Sequence, residues 1–501
     1  MNRVVQFVQK HRFYILLSSI TVFSFVYMAV YAGEKSLWYD DIYQIYFTWD
    51  KTLGEAMKHV NSVDLNPPLW AFFTYFWQRI APFGTFWLKL PSVIFVCCGI
   101  FFIGLSTKKI FSEKAAVVAA LLAAFHPSVV TICGFSYRSY GAMFFFSSFL
   151  VYTFIRRYLN PSRPNRILFT VSIFLIAFTH YFGALLCVFF AVFDFLLCLK
   201  GRQKKSFIIE YMIVGCLELP WLLTQLSNIT NALTSFWPSK PTFRSFFELL
   251  KELTINSYVF LVVFLVLVAV TIFDTVKRLV KKQAEDNVDT LAIKNALYII
   301  PIVFLFSIMM LSLLTPKTSL WVPRYFYFLI PLIIVFISAA LVDVFKRLID
   351  SSVHLMKYRI AIVTGLFISL LIALVPKYIT YIPKESKTEY EPFERAAEIV
   401  MSQTEIVTGE KVLLFNTTPC AKGWEYYLGK KNTRSLDNID LIGNLEFADT
   451  PVSSYDTVFI YAVHLDGDID LEKELDELSH THNIEIVDAH YNIYKLTKKI
   501  S

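Results

Sequence analysis

The sequence predicts a polytopic α-helical membrane protein with about eleven transmembrane helices, followed by a small soluble α/β domain. Three observations carry that reading. Of 501 residues, 56% are hydrophobic and 48 are Phe and 27 Tyr, with a mean hydropathy of +0.52, far more apolar material than one soluble core needs. Apolar runs close to the roughly 20 residues that cross a bilayer recur along the first three quarters of the chain. After about Pro383 the composition turns polar and charged.

The apolar runs fall at about 12–32, 88–107, 115–132, 139–155, 167–181, 183–199, 206–225, 257–276, 295–314, 325–345 and 359–377. With the N-terminus in the cytoplasm, every second connection is cytoplasmic, and those connections are the basic ones: "TKKIFSEK", "RRYLNPSRPNR", "KGRQKK", "KRLVKKQ" and "KRLIDSSVHLMKYR". The net charge of +7 is thus spread in short clusters between apolar runs, and no single basic face for nucleic acid is readable. Six of the seven cysteines lie in or beside apolar segments, which leaves no disulfide framework. Residues 13–32 also have features of a signal peptide, but the run is long for one and ten further spans follow.

This topology puts on the outer face the first connection, 33–87, the turn at 134–138, the stretch 227–256, the turn "PKTSLWVPR" and the C-terminal domain, 383–501. In "SLWYDDIYQIYFTW", Ile42, Ile45, Tyr46 and Trp49 form an apolar stripe on a helix too short to span, expected to lie along the membrane surface. "NPPLWAFFTYFWQRIAPF" predicts a second surface helix, with Asn66 as N-cap and Pro67 in its first turn.

Asp40 and Asp41 precede that stripe. Acids there could cap the helix, or one could accept a proton from an attacking hydroxyl as general base, or the pair could help hold a divalent cation such as Mg or Mn. Neighbouring side chains diverge by about 100° on a helix, so one acid acts directly and the other orients.

The order "WYDD", "NPPLW", "LKLPS", "SYRSY", "THYF" and "WVPRYFYFLIP" resembles the polyprenyl-phosphate-sugar-dependent glycosyltransferases of the GT-C fold, over about residues 10–380. Within that class the chain is most similar to bacterial relatives of the protein mannosyltransferases and of the lipid A aminoarabinose transferase. The resemblance implies an enzyme of a bacterial inner or plasma membrane that moves a sugar from a polyprenyl-phosphate donor to a hydroxyl of a protein, lipid or glycan acceptor, with inversion. It implies Asp40 as catalytic base and Asp41 as the adjoining acid, where the family usually has Asp-Glu. Lys89, Arg138 and Arg324 would neutralise the departing lipid phosphate, although relatives often have Arg where this chain has Lys89. Many GT-C enzymes carry an acid in the second outer loop; here "GFSYR" has none, so no metal-ligand set is assigned.

Tyr140, His180, Tyr181 and Tyr325 lie at the same predicted boundary and could bind sugar or phosphate, Tyr140 and Tyr325 otherwise serving as interfacial anchors and His180 as a structural histidine. Glu218 and Asp194 are acids inside apolar runs; Glu218, near an outer end, is a binding candidate, and Asp194 is given no catalytic role. The C-terminal segment reads as strands at "KVLLFN", "DTVFIYAV" and "NIEIVDA" between helices at "EPFERAAEIVMSQ" and "DLEKELDELSHTH", either contacting the acceptor or capping the membrane part. A transporter or flippase is the alternative from another class; its paired or interrupted repeats are not visible.

Overall fold

The computed structural model describes residues 3–49, 51–64, 66–82, 84–200, 205–235, 238–280, 288–315, 319–351, 358, 361, 374–387, 393–403, 411–416, 427, 439–442, 451–462, 471–489 and 492–499. Long helices dominate: α1 (Arg3–Ala32), α5 (Thr85–Ile110), α6 (Glu113–Ala124), α7 (Tyr140–Leu159), α8 (Arg163–Ala177), α9 (Tyr181–Leu199), α10 (Ile208–Ser235), α12 (Tyr258–Val280), α13 (Val288–Leu314) and α14 (Ile330–Ser351). Among the described residues, seven segments are long and apolar enough to cross a membrane: Gln6–Ala32, Thr85–Ile110, Tyr181–Leu199, Lys205–Asn231, Tyr258–Lys277, Ala292–Leu314 and Pro323–Val344. Three other expected spans fall short of that measure. The run 115–132 is broken after Ala124 by His126-Pro127 and resumes as the π-helical turn Val129–Gly134. Helix α8 has only 15 residues, and α7 carries Ser147, Ser148, Thr153, Arg156 and Arg157. The run 359–377 lies almost wholly outside the described residues.

Helix α7 is the hub. At Gly141 an added Cβ would meet the Cys133 carbonyl oxygen at 2.7 Å and Ser92 Cα at 3.0 Å, so only glycine lets α7 approach both the π turn and α5 this closely. On α5, Pro91 has no N–H to offer the carbonyl of Trp87 one turn back; Trp77 Nε1 donates to that oxygen instead, at 2.8 Å, and ties the first connection to the bundle.

That first connection holds three helices: α2 (Tyr39–Thr48), α3 (Leu53–Val63) and α4 (Leu69–Ile80). Helix α3 was not expected, though its start is written in "TLGE": Thr52 and Glu55 form a reciprocal capping box. Helix α4 begins later than "NPPLW" suggested, because Pro67 and Pro68 occupy the entry; Asn66 does not cap it, and its amide donates to Asp64 Oδ1 at 3.0 Å. The stripe on α2 is also placed differently from expectation. Leu37, Ile42 and Ile45 are buried in a core shared with the C-terminal domain, so they face protein, not lipid.

The C-terminal portion is a five-stranded sheet of order β2-β1-β3-β5-β4: β1 (Val412–Asn416), β2 (Ile439–Ile442), β3 (Thr457–Tyr461), β4 (His482–Asp488) and β5 (Ile493–Lys498). Strands β1, β2 and β3 run parallel, and β5 is antiparallel to β3 and β4. Side chains alternate between two cores. Val412, Leu414, Phe459 and Tyr461 face α15 (Phe393–Gln403) and α2, while Leu413, Phe415, Val458 and Ile460 face α16 (Leu471–Ser479).

Candidate active site

Helix α2 begins at Tyr39, which puts both aspartates in its first turn without capping it: Trp38 is the N-cap residue and makes no side-chain cap bond. The acids turn to different neighbours. Asp41 is fully buried; its Oδ1 accepts from Tyr137 N at 2.7 Å and Ser136 Oγ at 3.0 Å, and its Oδ2 has no partner among the described residues. Burial raises the pKa of Asp41, and Lys89, Tyr137 and Ser136 oppose that rise. Asp40 is about a quarter exposed, and its Oδ2 accepts from Arg324 Nη2 at 3.1 Å. The pair therefore does not converge on one point, and among the described residues no three His, Cys, Asp or Glu side chains form a metal-binding group.

The bond from Asp41 explains the position of Arg138. Residues 136 and 137 are held from four sides: by Asp41, by Ser92 Oγ on the Ser136 carbonyl at 2.6 Å, by Trp70 Nε1 on the Tyr137 carbonyl at 3.1 Å, and by Ser136 Oγ accepting from Arg138 N at 3.1 Å. Arg138 then donates through Nη1 to Gln44 Oε1 at 3.2 Å, and Gln44 Nε2 donates to Thr74 Oγ1 at 3.1 Å. Gln44 lies one turn beyond Asp40 on the same helix face. Burial by itself would lower the Arg138 pKa, but the charges of Asp64 and Asp40 reverse this and keep its guanidinium firmly protonated.

Arg324 arrives from a different part of the chain, on the 3₁₀ turn Pro323–Leu329, where Pro323 opens the turn and Ser147 Oγ on α7 donates to the Phe328 carbonyl at 2.5 Å. Its Nε donates to Tyr140 Oη at 3.0 Å, and its guanidinium lies 5.1 Å from the Trp38 ring centroid. Tyr140 and Tyr325 have ring centroids 6.5 Å apart, and His180 lies 5.2 Å from Tyr325. His180 is buried; its Nδ1 accepts from Phe182 N at 3.1 Å as the N-cap of α9, so the proton of the neutral ring is assigned to Nε2. Burial and then Arg138 push its pKa well down.

The structure thus brings Asp40, Arg138, Tyr140, His180, Arg324 and Tyr325 together. Lys89 is elsewhere: its side chain is fully buried, and its Nζ donates to the carbonyls of Lys35 at 2.5 Å and Ser36 at 3.2 Å. It supports the chain entering α2, since a buried ammonium needs acceptors and the carbonyls of an irregular segment supply them. Tyr181 and Glu218 are neighbours of each other on the α9–α10 side, with Trp221 close by. Asp194 joins Arg157, Tyr158 and Tyr211 in a separate buried cluster. Gln44, Trp38 and Asp64 were not singled out from sequence. Asp64, which acts electrostatically on Arg138, Tyr181 and Tyr325, was signalled only by its place two residues before "NPPL".

No protein-family model and no curated protein matches the chain. Among solved structures it is similar to ArnT from Cupriavidus metallidurans bound to undecaprenyl phosphate, with a TM-score of 0.60 and 11% identity over 98% of this chain and 99% of that one. It also aligns with the archaeal oligosaccharyltransferase AglB from Archaeoglobus fulgidus, in complex with an inhibitory peptide and a dolichol-phosphate, with a TM-score of 0.45 and 12% identity over 98% of this chain and 75% of that one. A third match is the S. cerevisiae protein O-mannosyltransferase Pmt1-Pmt2 complex bound to the sugar donor, with a TM-score of 0.32 and 16% identity over 44% of this chain and 34% of that one. At 11% identity what is shared is architecture, and on that architecture the chain is an integral membrane protein of the GT-C fold.

Proposed function

We propose that this protein is a membrane glycosyltransferase that moves a sugar from a polyprenyl-phosphate donor to an acceptor hydroxyl on the outer, periplasmic or extracellular, side, with inversion at the sugar. The observation that carries the reading is the meeting of Asp40 with two arginines delivered by separate turns, Arg138 and Arg324. Support comes also from the architecture shared with a protein whose structure holds undecaprenyl phosphate.

The chemistry has three needs. As the acceptor oxygen bonds to the sugar carbon, its proton passes to the Asp40 carboxylate. The bond from that carbon to the phosphate oxygen breaks, and the electron pair leaves with the lipid phosphate, which gains one negative charge. Arg138 and Arg324 are the groups that neutralise this charge, and the Tyr140 hydroxyl fixes the Arg324 fork. Asp41 keeps Arg138 in place through the 136–137 backbone.

The test is Asp40→Asn in purified protein given a lipid-phosphate sugar, alongside mass spectrometry of glycolipids and glycoproteins from cells with and without the gene. The expected result is loss of transfer with donor binding retained, and a glycan missing from the cells. Normal turnover by Asp40→Asn would remove Asp40 as base. A soluble solute accumulating in place of a lost glycan would favour transport.

A further inference from the structure

We infer that the C-terminal domain is a positioning element of the site: Tyr427 and the Lys35–Glu385 pair hold the turn that delivers Asp40 and Asp41. The inference rests on reading that site as the centre of transfer. Residues 33–38, between α1 and α2, form no regular structure, so their backbone groups need partners from outside. One side is served by Lys89 on α5, which binds the carbonyls of Lys35 and Ser36.

The other side is served by the C-terminal portion. Leu37 N donates to Tyr427 Oη at 3.1 Å, and the Tyr427 ring is buried. Lys35 Nζ meets Glu385 Oε1 at 3.1 Å and the Glu385 carbonyl at 3.2 Å, with each side chain only 11% exposed. Ser386 Oγ donates to Glu34 Oε2 at 3.4 Å. Three of the six residues before Asp40 are therefore tied to residues 385–427.

The apolar contacts follow the same route. Leu37, Ile42 and Ile45 share one core with Phe393, Ala396, Ala397 and Val400 of α15 and with Leu414 and Phe459 of the sheet. A domain that merely covered the membrane part would touch the outside of α2. Here α2 is an element of the domain's own core, and it has Asp40 on its first turn. Since a 1 Å misplacement of a reacting group can cost about 10²-fold in rate, this attachment bears on turnover.

The test uses the full-length protein in detergent with Tyr427→Phe, Glu385→Gln, Lys35→Glu, Glu385→Lys and the exchanged pair Lys35→Glu with Glu385→Lys. Hydrogen exchange at amides 37–42 is read first, because it does not depend on any activity. In Tyr427→Phe these amides should exchange about five- to tenfold faster, the equivalent of one lost neutral hydrogen bond. Transfer kcat should fall by a similar factor, while polyprenyl-phosphate binding and the melting temperature stay near wild type. The exchanged pair should recover much of the rate lost by either charge reversal.

Unchanged exchange and unchanged kcat in both Tyr427→Phe and Glu385→Gln would overturn the inference. So would a rate loss that merely tracks loss of folded protein, with no recovery in the exchanged pair. If wild-type protein transfers no sugar from any lipid phosphate, the proposed function fails, and the exchange at 37–42 still decides whether the C-terminal domain holds this turn.

Discussion

The carboxylates and guanidinium groups around Arg157 and those around Arg324 are built on opposite plans. In the first, Arg157 and Asp194 are fully buried and Glu210 is 4% exposed. All four carboxylate oxygens are taken: Asp194 by Arg157, Tyr158 and Tyr211, Glu210 by Arg157 at 3.0 Å and by Arg166 at 2.5 Å. The Arg157 guanidinium also lies 3.8 Å from the Phe169 ring centroid. This cluster ties α7, α8, α9 and α10 together. In the second, Asp40 and Arg324 each keep about a quarter of their surface accessible and meet through one bond, and their surroundings are supplied by separate turns. Buried charge is costly unless it is paired, so the cluster with every carboxylate oxygen taken marks structure, although Arg157 Nε has no partner among the described residues, and the cluster whose acid and guanidinium stay accessible suits chemistry.

The largest effects should come from breaking one cluster at a time. Arg157→Met leaves the buried Asp194 without a cation and takes one of two cationic partners from Glu210, and it should lower unfolding free energy by about 3–5 kcal/mol, with transfer per folded molecule unchanged. Asp40→Asn should leave stability within about 1 kcal/mol of wild type. Its transfer rate should fall by about 10²–10⁴-fold, the range for loss of a general base. Equal stability losses in the two variants would erase the distinction between the clusters.

A smaller effect is expected at Gly141, where the second cluster depends on close packing. Gly141→Ala should cost about 1–3 kcal/mol and reduce transfer, because α7 must withdraw from α5 and carry Tyr140 with it. Gly215→Ala is the control: among the described residues nothing lies within 4 Å of an added Cβ, so stability should hold or rise by up to about 1 kcal/mol. A wild-type melting temperature in Gly141→Ala would refute the packing account.

Next, Gln44→Leu should lower transfer kcat about tenfold, since it removes one charge-assisted bond that orients Arg138 toward the departing phosphate. A rise confined to KM would instead limit Gln44 to donor binding.

The smallest expected effect concerns pH. Burial raises the Asp41 pKa above the ordinary carboxylate value, so the fold favours the protonated form, and stability falls as pH rises from about that ordinary value through the raised one. In melting curves from pH 4 to 8, wild type minus Asp41→Asn should therefore decrease with pH. A difference that stays constant or increases would contradict the burial argument.

Much of the architecture was legible in local patterns. Membrane helices, the strands at β1, β3 and β4 and the helices α15 and α16 follow from hydrophobic runs and period-two or helical spacing. Strands β2 and β5 escaped because "IDLI" and "IYKLTK" are short or mixed with charge. The site was only partly legible. Asp40, Arg138 and Arg324 stand out as charges at the ends of apolar runs, and the structure brings them together. Lys89 stands out in the same way, yet its ammonium is spent on the carbonyls of Lys35 and Ser36. Charge at a boundary shows where a side chain starts, not where its end finds a partner.

By itself the sequence determined that the chain lives in a membrane and that a small α/β unit follows, because both depend on composition and on periods of a few residues. The tertiary structure alone decided that Asp40 and Asp41 part company, that Gln44 and Asp64 join Arg138, and that the stripe Ile42 and Ile45 belongs to the core of residues some 350 positions later. An apolar stripe is attracted equally to lipid and to protein, since the hydrophobic effect has no direction, and only the complete fold shows which surface it met.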